Sequence, residues 1–325
     1  ITPKEMNEET SKFKYMVDSE YVYLWVDGND PKWIAKRNAC IGEPSKDEKN
    51  CKGRYESNDE LKYSLRSLEK YAPWIRKIFI VTDNQVPEWL DTTHPKIQIV
   101  DHTEILPAEC LPCFNSVIIE HHLHKIPGLS EHFLYGNDDM YFNKPVTPDT
   151  FFAKDLLPII RFNRRPFRKW YLLFKTKVEG KQLSNYLQTI HNAALLVEKK
   201  YGTYYSGKTH HNIDAYLKSN YEHTRQVFDK EISATLTNHV RSMNDIQRNI
   251  YSYVPLAEKR AHMQYVTQRT SFRFHIDNRK LYRKFEKYNP MLFCMNDSQF
   301  ANDDDRKCAI DFLGKLFPEK SQFEK

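Results

Sequence analysis

The chain has 325 residues, of which 40% are hydrophobic and 28% are charged, and it contains 20 Tyr and 19 Phe but only 9 Gly. This composition excludes disordered, fibrous and repetitive proteins, and the length allows one large domain or two moderate ones. The formal net charge of +6 fits either a solvated basic surface or attraction of a polyanionic partner, which would be a phosphorylated substrate or an anionic membrane surface. Because no nucleic-acid recognition motif accompanies this modest charge, we expect no nucleic-acid partner.

The first half of the chain alternates between strand-like and helix-like segments. Residues 1–18 are polar and predict a flexible arm. Runs of β-branched and aromatic residues predict strands at 21–26, 77–82, 97–100 and 133–135. Apolar spacing predicts one helix that begins at Asn58 and another over residues 115–126. This alternation predicts βαβ units over residues 19–155, and therefore a mostly parallel sheet.

The second half changes character. Residues 156–262 are basic and aromatic with helical patterning, including predicted helices at 213–228 and 244–260. We expect this stretch to form a helical subdomain that completes a site on the sheet. Residues 263–325 are predicted to return to the core with a strand at 293–295 and a final helix near 305–317.

Acidic residues follow several of the predicted strands. Asp27, Asp83, Asp138 and Asp139 each stand where a strand ends. In a parallel sheet, ligands bind at the carboxyl ends of the strands, so we expect these carboxylates on one rim.

Two polar strand ends carry oxygen ligands of the kind that divalent cations prefer. Asn137, Asp138 and Asp139 form the first, and Asn296 and Asp297 form the second. Hard oxygen ligands on short loops suit Mg²⁺ or Mn²⁺, which retain open positions for phosphate oxygens. The alternative at both places is a capped turn, since Asp and Asn are common turn residues. Together the two ends predict one shared metal site.

Basic side chains in the second half are candidates for phosphate contacts. His210 and His211 precede a predicted helix, where a histidine contacts an anion or exchanges a proton. Arg241 lies in a predicted loop, and its planar guanidinium is suited to phosphate. A solvated surface position is the alternative for each. A further basic run could bind an anionic acceptor or a lipid, or it could simply be exposed to solvent. It consists of Arg161, Arg164, Arg165, Arg168 and Lys169.

Several well-known catalytic patterns are absent from the sequence. It has no Walker loop, GxGxxG, GxSxG or HExxH. Cys110 and Cys113 have CxxC spacing, but no second pair completes a zinc site. With so few glycines, we expect a metal together with Arg and His side chains, rather than backbone amides, to hold any phosphates.

Four blocks of the sequence, taken in order, resemble the Stealth family of hexose-1-phosphoryltransferases. That family includes bacterial capsule and surface-polysaccharide enzymes and the GlcNAc-1-phosphotransferase that tags lysosomal enzymes. The third block differs from the family pattern, because Asn212-Ile213-Asp214 stands where prolines are usual. The blocks are Tyr23–Pro31; a long second block with Arg54–Leu61, Tyr63–Glu69, Ala72–Ile75, Ile80–Gln85, Phe114–Ser116 and Tyr135–Met140; His210–His211 with Val240–Ser242; and Cys294–Asp297.

The resemblance implies a Rossmann-like, GT-A-like α/β core with a helical insertion, a UDP-sugar donor and a divalent metal, Mg²⁺ or Mn²⁺. It implies transfer of a hexose or N-acetylhexosamine 1-phosphate to a hydroxyl of a glycan or lipid-linked glycan, with release of UMP. For Arg66, the alternative to a role at the site is an ion pair with Glu69, three residues further along the same helix. The expected catalytic residues are Asp27, Asp139, His211 and Arg241; the substrate-binding residues are Trp25, Asn58, Glu60, Arg66, Asn115 and His210; the metal ligands are Asp138, Asp139, Asn296 and Asp297.

Two rival functions remain open at this point. A metal-dependent glycosyltransferase would use the same donor but release UDP, and a sugar-nucleotide-binding module would not turn over at all. The general base is either Asp139 or Asp27. No apolar run reaches the roughly 18 residues that span a bilayer, so we expect a cytoplasmic protein with peripheral contact at the inner face of the membrane.

Overall fold

The computed structural model describes residues 18–42, 59–298 and 300–325. The predicted arm up to residue 17, and Asn58, lie outside the described residues. The strands are β1 (Ser19–Leu24), β2 (Lys77–Thr82), β3 (Ile97–Asp101), β4 (His132–Asn137), β5 (Met140–Phe142), β6 (Ile159–Asn163), β7 (Lys208–Thr209), β8 (Asp214–Leu217), β9 (His262–Tyr265), β10 (Ser271–His275) and β11 (Leu292–Asn296). The helices are α1 (Pro31–Ile41), α2 (Glu60–Tyr71), α3 (His102–Ile105), α4 (Ser116–Glu120), α5 (Arg168–Leu173), α6 (Asn185–Tyr201), α7 (Lys218–Val227), α8 (Asp229–Ser233), α9 (Ile250–Ala257), α10 (Arg279–Tyr288) and α11 (Asp303–Leu316).

A five-stranded principal sheet has the order β3-β2-β1-β4-β8. Strands β1 to β4 are parallel, and β8 runs antiparallel to β4 at the edge. The prediction of an α/β fold with a mostly parallel sheet is therefore confirmed, and the carboxyl ends of four strands share one edge.

Both faces of the principal sheet are buried. Val22, Phe79 and Phe133 belong to the core on one face, while Tyr23 and Ile80 belong to the core on the other. Alternate side chains of a strand point to opposite faces, so near-continuous apolar runs are needed when both faces are covered. This requirement explains why the strands could be predicted from the sequence.

A second sheet begins where the principal sheet ends. Strand β5 follows β4 after a two-residue turn, Asp138–Asp139, and pairs antiparallel with β11, which pairs parallel with β10. The backbone N–H of Met295 donates to the carbonyl oxygen of Asp139 over 3.0 Å. The pairing of β5 with β11 thus brings Asn296, at the end of β11, beside Asp139, which lies 157 residues earlier in the chain.

The segment 156–262, predicted to be a helical subdomain, is of mixed structure. This segment contains strands β6 to β9 as well as helices α5 to α9. The first residues of the predicted helix 213–228 form β8, because Asp214–Leu217 pairs with β4 at the open edge of the sheet. Helix α7 begins only at Lys218, and the predicted helix 244–260 is reduced to α9. Pairing with a neighbouring strand outweighed the local helical pattern.

Two predictions in the first half also need correction. The helix predicted over 115–126 ends at Glu120, and a short 3₁₀ turn follows at Leu123–Lys125. Helix α1 was not predicted, although its start has a recognisable signal: Asp30 caps it by accepting from the N–H of Lys32, and Pro31 occupies the first position.

Gly136 lies where β4 leaves the core, and no side chain fits there. A Cβ at this position would lie 2.1 Å from the buried hydroxyl of Tyr21 and 3.4 Å from Ile213. We expect Gly136→Ala to lower the free energy of unfolding by about 1–3 kcal/mol through overpacking. Urea unfolding measures the effect.

Gly314→Ala is the matched control for this substitution. Gly314 lies within α11, and its Cβ would meet only the Tyr63 hydroxyl at an ordinary 3.5 Å. We expect it to be neutral or to stabilise by up to about 1 kcal/mol, because alanine favours helix. Equal destabilisation by both substitutions would contradict the close approach at Gly136.

Candidate active site

A cavity of about 480 Å³ opens at the carboxyl edge of the principal sheet. Its walls come from the ends of β1 to β4, from the loops before β8 and α9, and from the second sheet. Eight of the residues predicted for the site line it: Trp25, Glu60, Asp138, Asp139, His211, Arg241, Asn296 and Asp297. Side chains that are far apart in sequence therefore face one space.

One end of the cavity is acidic. Burial, followed by the nearby Glu60 and Asp139 carboxylates, raises the pKa of Asp138 well above its ordinary value. Burial also raises the pKa of Asp139, although Asn296 and Arg273 act in the opposite direction. The Oδ1 atom of Asp139 is buried without a hydrogen-bond partner among the described residues. This end carries more negative charge than the described residues beside it neutralise.

The other predicted strand end meets Asp139 through an amide. Asn296 donates from Nδ2 to Asp139 Oδ2 over 2.5 Å, and its Oδ1 accepts from Arg273 Nε over 2.5 Å. The amide orientation follows from these partners, since the reverse would set the NH₂ group against the guanidinium. Asp297 is engaged elsewhere, because its carboxylate accepts from Arg306 Nε over 2.9 Å. Asn296 thus braces the acidic end, whereas Asp297 pairs with Arg306.

The same cavity is also lined by basic side chains. Arg241, Arg248 and Arg273 all line it, and Arg273 is linked to the acidic residues through Asn296. Burial, followed by these arginines and Lys208, lowers the pKa of His211 well below its ordinary value. The imidazole is therefore neutral at pH 7, and the three guanidinium groups supply positive charge to the cavity.

Arg248 is held in place by a buried network. Its guanidinium pairs with Asp214 over 2.8 Å and with Glu120 over 3.4 Å, and it lies 4.5 Å from the centre of the Tyr135 ring. The Tyr135 hydroxyl in turn donates to Glu120 over 2.7 Å. A buried arginine with two carboxylate partners keeps its charge, and the network fixes its direction.

His211 lies between β7 and β8, so it does not precede a helix as predicted. Its backbone is left-handed, with a φ of 53°, and the ring packs edge-on to Tyr186. One ligand-type atom from each of Asp139, His211 and Cys294 lies within 4.8 Å of the others. Burial raises the pKa of the Cys294 thiol well above its ordinary value, so the thiol stays protonated.

Two of the expected site residues line no part of the cavity and hold its walls instead. Asn115 caps α4 and donates from Nδ2 to the carbonyl oxygens of Asn238 and Val240, which positions the loop carrying Arg241. His210 contacts Ser271 Oγ over 2.7 Å and Asp214 Oδ1 over 3.2 Å.

Two further expected residues, Asp27 and Arg66, are also outside the cavity wall. The Asp27 carboxylate accepts from the backbone N–H of Asn29, in the loop before α1. Arg66 forms a two-point ion pair with Glu324, at 2.7 and 2.8 Å, and donates to the carbonyl oxygen of Phe317. The predicted pairing of Arg66 with Glu69 is replaced by this contact with the C-terminal segment.

Sequence reasoning missed several residues that line the cavity. Arg248 and Arg273 stand in no motif; Arg248 lies just before α9, and Arg273 lies on β10, which pairs with β11. Trp33, His102 and Phe114 line the opposite side, next to the ends of β1 and β3. Trp33 could have been placed from the sequence, because it lies in the first turn of α1, and Asp30 and Pro31 indicate where that helix begins.

Carboxylates and three arginines therefore line one cavity, and these are the side chains that cations and phosphates respectively prefer. The models of two conserved regions of one family match this chain: Stealth protein conserved region 1 over residues 22–43 and conserved region 2 over residues 54–160. The chain belongs to the Stealth family.

Three bacterial relatives illustrate the membership. The chain is 34% identical to the capsular polysaccharide phosphotransferase fcs1 of Haemophilus influenzae, over 91% of this chain and 82% of the relative. It is 32% identical to SacB of Neisseria meningitidis serogroup A over 95% of this chain and 57% of the relative. It is 47% identical to WcwK of Streptococcus pneumoniae over 43% of this chain and 42% of the relative. SacB and WcwK are both named capsular polysaccharide phosphotransferases.

Family membership confirms the expectation of a phosphotransferase. The alignments with fcs1 and SacB extend over nine-tenths of this chain, so they reach well beyond the two matched regions. Among the described residues, no helix combines the length and the apolar character needed to cross a bilayer.

The contacts of Arg66 predict a structural role for it. Arg66→Ala would leave the Glu324 carboxylate without its guanidinium partner and lower the free energy of unfolding by about 2 kcal/mol. We expect the KM for donor to stay unchanged. Arg283→Ala on the exposed side of α10 is the control, with an expected change within about 0.5 kcal/mol. An unchanged unfolding midpoint with a raised KM would instead place Arg66 in donor binding.

Proposed function

We propose that this protein transfers a hexose or N-acetylhexosamine 1-phosphate from a UDP-sugar to a hydroxyl of a glycan or lipid-linked glycan, releasing UMP, in surface polysaccharide synthesis. The single observation that carries the proposal is that one cavity is lined both by the carboxylates Asp138 and Asp139 and by three arginines, Arg241, Arg248 and Arg273. A diphosphate bound together with a cation complements both sets of charges. The names of the relatives support the polysaccharide product.

The cavity also suggests how the donor lies. Trp33, His102 and Phe114 line its side next to β1 and β3, and burial lowers the pKa of His102 to about 4, so this side is aromatic and uncharged. We assign the nucleoside to this side and the sugar phosphate to the ends of β4 and β11. A site at the carboxyl edge of the order β3-β2-β1-β4 supports the Rossmann-like, GT-A-like arrangement that the resemblance implies.

The residues present fit a divalent cation, Mg²⁺ or Mn²⁺. The buried, unpartnered Oδ1 of Asp139 and the raised pKa of Asp138 both indicate carboxylates that a cation would stabilise. Asp138 and Asp139, with Glu60 beside them, are the ligands we propose. When bound, such an ion neutralises charge on the transferred phosphoryl group and on the leaving UMP. Asn296 orients Asp139, whereas Asp297 is directed to Arg306.

The chain's own residues perform the remaining work. Arg241 and Arg273 bind phosphate oxygens, and Arg248 supplies further positive charge from its fixed position. The acceptor oxygen attacks the phosphorus that bears the sugar, and the bond from that phosphorus to the oxygen of UMP breaks. Phosphoryl transfer of this kind depends mostly on positioning and charge.

His211 is the side chain that we propose to take the acceptor's proton. Its pKa is lowered by burial and by the surrounding cations, so it is neutral before substrate binds. A bound diphosphate offsets those cations and raises the affinity of the ring for a proton. Asp139 remains the alternative base, and Asp27 is the weaker candidate because it does not line the cavity.

A panel of UDP-sugars with Mg²⁺ or Mn²⁺, scored for the nucleotide released, tests the proposal. We expect UMP. Asp139→Asn keeps the size of the side chain but removes its charge, and we expect kcat to fall about a thousandfold. The control is Asp311→Asn on the exposed face of α11, which should leave turnover unchanged.

Two outcomes of this assay would contradict the proposal. Release of UDP would mean that the bond at the sugar carbon breaks and that the protein is a glycosyltransferase. Near-normal turnover of Asp139→Asn would remove the acidic end from the reaction.

A further inference from the structure

Five large apolar side chains form a solvent-facing stripe on α5 and the π-helical turn Phe174–Val178 that continues it. Their exposure ranges from 52% for Phe174 to 75% for Phe167. The apolar stripe consists of Phe167, Trp170, Tyr171, Phe174 and Val178. A contiguous exposed patch of this kind marks an interaction surface rather than a normal scatter of apolar residues.

The spacing shows that the apolar stripe is one face of a helix. Its members recur at intervals of three and four residues, the period that places side chains on one side. The residues of the opposite face, Arg168 and Leu172, are buried against the protein. The helix therefore packs one face against the protein and presents a second, apolar face to solvent.

Positive charge surrounds the apolar stripe. Residues 164–181 contain seven Lys and Arg against one acidic residue, Glu179. Arg164, Arg165, Lys177 and Lys181 are exposed beside the stripe. The excess of six positive charges in this short segment equals the formal net charge of the whole chain.

A neighbouring strand extends the same surface. Strand β9 is exposed along its length, with Met263 45% and Tyr265 51% exposed. The guanidinium of Arg164 lies 5.8 Å from the centre of the Tyr265 ring. The surface thus combines aromatic, apolar and basic side chains over two elements.

This basic surface adjoins the active site. Burial first, and then Arg273, Arg168 and Arg165, lowers the pKa of Lys208 to about 8. Lys208 lies at the start of the segment that carries His211, with its Nζ 5.2 Å from the centre of the Tyr186 ring, and Tyr186 lines the cavity. Cations of the exposed segment and of the cavity wall are therefore near neighbours.

We propose that the apolar stripe and its flanking cations dock this protein on an anionic phospholipid surface. Exposed Trp, Phe and Tyr with surrounding Lys and Arg are the composition that lies in a membrane interface. A second copy of the chain fits less well, because a symmetric contact would set seven like charges against seven. The inference concerns where the enzyme works, and it stands whichever bond the enzyme breaks.

Flotation of the full chain with vesicles tests this inference. We expect binding to phosphatidylcholine vesicles that contain about 30 mol% phosphatidylglycerol, little binding to phosphatidylcholine alone, and release as salt rises from about 0.1 M to about 0.5 M. Trp170→Ser with Phe174→Ser, and separately Lys177→Glu with Lys181→Glu, should each weaken binding at least about tenfold. UMP release from a soluble acceptor, measured in parallel, reports separately on the proposed reaction.

Lys284→Glu with Lys287→Glu is the matched charge control. These lysines are exposed on α10, an equally basic helix whose apolar face is buried through Phe285. We expect this variant to bind vesicles within about twofold of the wild type. Absence of flotation, equal loss in both charge variants, or conversion of a stable dimer to a monomer by Trp170→Ser with Phe174→Ser would each overturn the proposal. An unchanged unfolding temperature of the stripe variants shows that they fold.

Discussion

Repulsion between carboxylates at the junction of two sheets is the constraint on which the active site depends. Asp138 and Asp139 form the whole turn between β4 and β5, and Glu60 approaches from α2. Bringing buried like charges together costs free energy unless a cation or a proton compensates. The raised pKa values of both aspartates show that the described protein groups compensate only in part.

The surrounding architecture fixes this unfavourable turn in place. Strand β4 is paired on both sides, and β5 is locked to β11, so neither aspartate is able to move away by itself. The same cavity gathers Arg241, Arg248 and Arg273 around His211, and burial together with these cations lowers the pKa of that histidine. Of these three arginines, Arg248 is the one that pairs with Glu120 and Asp214. A ligand with several negative charges neutralises the arginines, and a cation bound with it neutralises the carboxylates.

The sequence was informative where local pattern and tertiary structure agree. The parallel strands are apolar because both faces of the sheet are covered, and the polar residues that follow them mark its edge. Asp138, Asp139 and Asn296 were foreseen as one cluster on this basis and through the family resemblance. Strand β8 was misread because Asp214–Leu217 takes its conformation from β4, which no local pattern reveals.

The residues that could not be foreseen reach the cavity only through packing between distant elements. Arg248 and Arg273 stand in ordinary segments, and their position depends on α9 and β10. Conversely, Asn115 and Arg66 lie within the blocks that resemble the family, yet neither lines the cavity. Asn115 holds the loop that carries Arg241, and Arg66 holds the C-terminal segment through Glu324. A motif identifies residues that matter for the site, whereas the contacts decide whether they touch the ligand or hold the wall.

The most direct test of the charge argument is the thermal unfolding midpoint of the wild type and of Asp138→Asn at about pH 8, each with and without Mn²⁺. Without the ion, the variant should unfold at a higher temperature, because one of the repelling carboxylates has become neutral. With Mn²⁺, the wild type should gain stability and the variant should gain much less. If the substitution lowers the midpoint without the ion and both proteins respond equally to Mn²⁺, the acidic end is not a cation site under electrostatic strain, and the proposed mechanism loses its basis.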